Sequence, residues 1–271
     1  MSNRFQNFFN PFVIEENKKM KNIIVKQLKS LITLLLKTTI LEKTPVLSWS
    51  QQNYSLVYFP LVGFVVGLIA AIFCYINSIL FNKTIAVTLA LLLIVIITVA
   101  NHEKEFFNSF NELEKSFFKF NNEIIAILLL FFVVIVKLMC VSSIPISELT
   151  MAFVLALTVS RWSVILLVYR YDYNLSGVEN FNNKEQIMDE VKQVEKITTE
   201  QFIVATLLTL VPIILFFGLY YITIFVGTAL LALGIGELYK KFLGSITWNS
   251  IGTLIQLSEI TIFLLICAKL L

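Results

Sequence analysis

LTMAFVLALTVSRWSVILLVY, residues 149–169, is a run of 21 residues that carries a single charge, Arg161. At about 1.5 Å per residue such a run crosses a hydrocarbon core of about 30 Å as a helix. Six more runs read the same way: 58–80, 84–100, 124–143, 202–220, 222–238 and 251–271. The runs at 84–100 and 222–238 are near the short limit, and Tyr220 and Tyr221 leave almost no loop between two of the spans. Six or eight spans therefore stay open beside the preferred seven. With the N-terminus inside, 17 of the 21 lysines and arginines fall in inner segments, and only Lys83 and Lys269 fall outside. That asymmetry is the positive-inside signature of an inserted helical protein. The fold class expected is all-α, a polytopic integral membrane helix bundle of about seven spans.

Composition agrees. Hydrophobic residues make up 58% and charged residues 14% of the chain, and mean hydropathy is +0.83, well outside the range of an ordinary soluble domain. The net charge of +3 is too small to suggest nucleic-acid binding, and its excess sits where anionic headgroups lie. The lipid bilayer is the partner it indicates. Cys74, Cys140 and Cys267 all lie in spans without CxxC spacing, so they predict packed thiols and no disulfide framework.

Two regions follow from the pattern: an arm over 1–53 and a transmembrane helical domain over 54–271. In the arm, residues 23–41 repeat apolar side chains at helical spacing but are interrupted by Lys26, Lys29 and Lys37. An amphipathic helix in the interface and a buried first helix of the bundle both fit. Three inner loops are expected at 101–123, 170–201 and 240–250, the second running into a charged helix near 189–196. Any chemistry should therefore face the cytoplasm.

Charged side chains at membrane depth cost about 2.5–3.5 kcal/mol each on insertion scales, so they signal partners or function. Arg161 stands mid-span, Lys137 well inside its own span, Glu237 at a span end, and Glu259 two turns into the last. For Lys137 and Glu237 the plainer reading is interhelical pairing or snorkelling. Gln256 and Glu259 share one face of the last span, and Ser250 and Gly252 extend that polar stripe inward.

Three segments together resemble the cobalamin-5′-phosphate synthase (adenosylcobinamide-GDP ribazoletransferase) family, in register from about residue 25 to the C-terminus. YFPLVGFVVG at 58–67 is similar to the family's aromatic-Pro-Leu-x-Gly opening. VSRW at 159–162, followed by YRYDY at 169–173 and Gly177, is the second. LGSITWNSIGTLIQLSE at 243–259 resembles the family's Gly-Gly-x-Thr-Gly-Asp-Thr-x-Gly-Ala-x-x-Glu-x-x-Glu stretch. The resemblance implies an inner-membrane transferase of bacteria or archaea. It would join adenosylcobinamide-GDP to α-ribazole or its 5′-phosphate and release GMP, with corrinoid and α-ribazole nucleotides as substrates. Such phosphoryl chemistry implies Mg2+ held by carboxylates.

The acidic motif departs from the family. HEKEFFNSFNE at 102–112 keeps His102 but sets Lys104, Asn108 and Asn111 where three aspartates belong. Asn249 replaces the aspartate of the Gly-Asp-Thr turn, Gln256 replaces a glutamate, and the loop after His102 is shorter than the family's. Asparagine keeps an oxygen without the charge, and lysine repels a metal. Two outcomes stay open: a metal site rebuilt in a shifted register from Glu103, Glu105, Glu112 and Glu114, with Glu105 and Glu112 on one face if the loop is helical, or a retained fold with lost or changed chemistry, binding a corrinoid, a lipid or a membrane partner. A solvated charged loop is the plain alternative for these glutamates, and a small transporter using Arg161 and Glu259 is a third function. If the resemblance holds, Arg161 meets substrate phosphate and His102 assists proton transfer. Thr247, Asn249 and Ser250 donate hydrogen bonds, and Glu259 pairs with a cation. Asn108, Asn111, Tyr173, Gly252 and Gln256 would line the substrate.

Overall fold

The computed structural model describes residues 56–117, 123–172 and 197–270. Eight α-helices and one 3-10 turn account for them, and no strand occurs among the described residues. The helices are α1 (Phe59–Leu80), α2 (Lys83–Ile97), α3 (Asn101–Phe117), α4 (Glu123–Ser143), α5 (Ile146–Arg170), α6 (Thr199–Phe217), α7 (Ile222–Leu243) and α8 (Trp248–Leu270). The all-α membrane bundle read from the sequence is what forms. The arm over 1–53, Tyr173, Gly177 and the charged helix expected near 189–196 lie outside the described residues.

Local chemistry sets the boundaries. Pro60 sits in the first turn of α1, where its missing N–H leaves no bond unmade. The Asn82 side chain accepts from Ile85 N at 3.0 Å and starts α2. Thr198 and Gln201 cap α6 reciprocally, each side chain accepting from the other's backbone N–H. α7 ends at Gly244, whose φ of +80° lies in the left-handed region that a side chain disfavours.

Five helices are long and apolar enough to cross a membrane: α1, α4, α5, α7 and most of α8. α7 extends to Leu243, so the run that looked short at 222–238 has full length. α6 offers a shorter apolar stretch, Thr199–Leu215. α2 spans only 15 residues and then breaks. Val99 and Ala100 adopt φ of 54° and 52°, and α3 leaves at 78° to α2. Counted as one bent span, α2 and α3 bring the total to six.

Here one expectation is corrected. Residues 101–123 were expected as an inner loop, yet 101–117 form helix α3 inside the bundle. The reason lies in its two faces. Phe106 is buried beside Phe110, His102 and Glu105 are buried as a pair within the helix, and the buried Ser109 meets the Tyr239 hydroxyl of α7. Charge excludes a helix from a membrane bundle only when it finds no partner.

α5 is the central helix, buried almost continuously from Ala152 to Ile165. α1 lies close along it because Gly63 and Gly67 face the backbone of Leu157 and Phe153, leaving no room for a Cβ. On another side Trp162 stacks on Phe225 with ring centroids 3.7 Å apart, and its indole N–H donates to Thr206 Oγ1 at 3.0 Å. These contacts tie α5 to α7 and α6.

Candidate functional site: a polar seam between α3 and α8

α3 and α8 run antiparallel with their polar residues facing each other. At the start of α8, Thr247 Oγ1 donates to Glu112 Oε2 at 3.0 Å and Asn249 Nδ2 donates to Glu112 Oε1 at 2.6 Å. One turn deeper Gly252 meets Glu105 so closely that a Cβ would collide with the Glu105 side chain. Beside it Ser109, Tyr239 and Thr253 form a buried hydroxyl cluster, with Tyr239 Oη donating to Thr253 Oγ1 at 3.3 Å. Deeper again, Gln256 Nε2 donates to Glu103 Oε1 at 2.9 Å. Positions 252 and 253 each lie three or four residues from both 249 and 256, so the α8 residues share one face.

The deep end of the seam holds the charges. Arg161 Nη1 donates to Ser160 Oγ at 3.0 Å and to Glu259 Oε1, while Lys137 Nζ donates to Glu259 Oε2 at 2.6 Å. The same ammonium also donates to the Gln256 Oε1. Ser163 and Ser258 hydroxyls lie 3.2 Å apart, adding a second α5–α8 link. Arg161 is 2% exposed, Glu259 5% and Lys137 8%. In so dry a setting each charge needs its partner, since an isolated ion at this depth keeps none of its hydration. Side chains of α5, α8, α4 and α3 thus form one connected network.

Most of the expected site residues come together here. Arg161 and Glu259 meet directly and Gln256 joins them through Lys137, while Asn249 and Thr247 meet Glu112. His102 Nδ1 lies 3.4 Å from Glu105 Oε2 on the same helix face. Ser250 turns inward and donates to Thr247 O at 2.7 Å, closing the first turn of α8. Asn108 and Asn111 are half-buried on α3, and the Asn111 Oδ1 is buried without a hydrogen-bond partner. Glu103 Oε2 is orphaned in the same way. Sequence reasoning missed Ser109 and Tyr239 as members of the seam, and weighed Glu103 only as a metal ligand. Ser109 went unmarked because α3 was read as a loop, and Tyr239 because it ends an apolar span. Glu237 accepts from Tyr171 Oη at 3.0 Å, at the α5–α7 boundary. Burial and that carboxylate push the Tyr171 phenol above its ordinary range, which keeps it a donor.

The donors present do not make a resident magnesium site. Among the described residues no three His, Cys, Asp or Glu side chains are grouped to hold a metal ion. Glu105 and Glu112, seven residues apart, stand about 10 Å apart along the α3 axis. Both Glu112 oxygens accept from Thr247 and Asn249, and Glu259 faces two cations. The two orphaned oxygens, on Glu103 and Asn111, lie eight residues apart, about 12 Å along the α3 axis.

A model of the cobalamin-5-phosphate synthase family matches residues 30–104 and 124–268. The chain belongs to that family. No curated protein and no solved structure matches it. Cobalamin-5-phosphate synthase membership connects the chain to cobalamin synthesis as a multi-pass membrane protein with corrinoid-related substrates. The family match breaks off at Lys104 and resumes at Ile124, so it omits most of α3. That omitted helix carries Asn108, Asn111 and Glu112, the stretch where this chain departs from the acidic motif.

Proposed function

We propose that the protein joins adenosylcobinamide-GDP to α-ribazole or its 5′-phosphate at the cytoplasmic end of the α3–α8 seam. The observation that supports this is the convergence of three separate segments, 102–112, 159–162 and 243–259, on one polar surface of α8. In the reaction a ribazole ribose hydroxyl forms a bond to the corrinoid-side phosphorus. The bond to the GMP oxygen breaks, and the hydroxyl proton passes to a base. The half-buried amides Asn108, Asn111 and Asn249 are suited to orient phosphate and ribose oxygens, since an amide offers both donors and an acceptor. His102, beside Glu105, lies about 9–14 Å along the α3 axis from Asn108 and Asn111, too deep in the seam to take a proton from a hydroxyl held there. Arg161 and Glu259 satisfy each other, so their part is positioning: they hold α8 against α5.

A second reading is supported by Glu112, whose two oxygens are already taken by Thr247 and Asn249. It is a relative that binds a corrinoid, a lipid or a membrane partner without turnover. One assay separates the two. Purified protein in lipid, given adenosylcobinamide-GDP, α-ribazole 5′-phosphate and a divalent cation, should yield a corrinoid nucleotide and GMP in equal amounts. Absence of both products, with retained corrinoid binding, selects the second reading.

A further inference from the structure

α4 is a lipid-facing helix with one buried stripe, and a lysine stands within that stripe. Ala126, Val133, Lys137, Cys140 and Val141 are buried, whereas Ile127, Leu128, Phe131, Phe132 and Met139 are exposed. A lysine on one of the exposed faces would run its stem along the lipid and lift its ammonium toward the interface. Lys137 turns inward instead, with Nζ at 2.6 Å from Glu259 Oε2 and bonded to Gln256 Oε1.

We infer that Lys137 is a built-in cation of the seam, supplying at the Glu259–Gln256 node the positive charge that a carboxylate site otherwise takes from a divalent metal. The bundle therefore assembles and holds its polar interior without magnesium. The charge count supports this, because the Glu259 carboxylate divides its oxygens between Lys137 and Arg161. A divalent ion brought there would meet two fixed cations at short range. Orientation supports it as well. Lys137 takes the Gln256 amide oxygen, and the amide N–H then points to Glu103, so the node carries the α4 contact through to α3. Ammonium and guanidinium groups have no lone pair for a metal, Glu112 is filled by protein donors, and Glu103 keeps a single unbonded oxygen beside Gln256.

The test uses the full chain in nanodiscs, with Mn2+ as a paramagnetic probe of a magnesium-type site. The free Mn2+ signal should be undiminished by the protein, and a chelator should leave the melting temperature where it was. Lys137→Met should lower the melting temperature by several degrees, with no recovery in millimolar Mg2+. The double variant Lys137→Met/Glu259→Gln should melt above the single one, because it removes the stranded carboxylate charge. One Mn2+ held per chain, and released by Glu105→Gln or Glu112→Gln, overturns the inference. So does a Lys137→Met protein that melts like the wild type. If the single variant cannot be purified folded, recovery of a monodisperse double variant supports the inference, and failure to recover it overturns it.

Discussion

Arg161 and Glu259 show why a single charged residue in a span carries so much information. The pair is 2% and 5% exposed, so neither ion can fall back on water if its partner is removed. Removing one partner of a buried pair costs about 3–5 kcal/mol, most of it from the charge left behind. Arg161→Met should show a loss of that size in reversible unfolding in mixed micelles, tempered by Lys137, which still faces the carboxylate. Arg161→Met/Glu259→Gln should regain a good part of it. At the other end of the seam the stakes are smaller. Asn249→Ala removes a 2.6 Å bond to a half-buried Glu112, and about 1 kcal/mol of stability should go with it. The same variant should lower transferase turnover more than it lowers the melting temperature, and equal, small effects on both would argue against a substrate role.

Among the elements, α3 and α8 depend on a close approach. Gly252 leaves no space for a methyl group, because Glu105 and the His102 carbonyl occupy it. Gly252→Ala should therefore pry the two helices apart, at a cost of about 1–3 kcal/mol as an overpacked contact. Gly234, where nothing lies within reach of an added Cβ, is the control, and Gly234→Ala should be neutral or slightly stabilising. The break between α2 and α3 makes the opposite prediction. Val99 and Ala100 both hold positive φ, where a side chain costs about 1 kcal/mol or more relative to glycine. Ala100→Gly should raise the unfolding midpoint, or leave it in place where the added freedom of the unfolded chain cancels the relief. A clear drop would mean that the bend is not maintained in the bilayer. Polar groups freed by such a break are tolerated because α3 buries them against protein instead of lipid.

At the scale of the molecule, the charge asymmetry predicts an orientation that would put the open end of the seam in the cytoplasm. A cysteine at Lys83, in place of the lysine between α1 and α2, should react with a membrane-impermeant maleimide added outside intact cells. Cysteines at Lys115 or Ser245 should react only after the membrane is opened. Reversal of this pattern would move the seam's mouth to the other side and remove the proposed substrates from reach. Cys74 and Cys140 are buried and should stay unlabelled in both conditions.

Much of this architecture was legible in the string of residues, and the physical reason is the bilayer. Hydrocarbon forces the backbone into helices and punishes misplaced charge, so apolar run length determined the fold class, and mid-span charge singled out Arg161 and Glu259. What α3 would do was not legible. Its charges read as a solvated loop, because a sequence pattern registers polarity but not whether a polar partner waits across the interface. The same holds for Lys137, since α4 is apolar on every face and no stripe shows which side is buried. Only tertiary packing decided that Glu103, Glu105 and Glu112 face α8, that Lys137 turns toward Glu259, and that asparagine and glutamine bond to carboxylates where a metal set was expected. Those choices rest on pairwise distances between helices far apart in the chain, and no local periodicity encodes them.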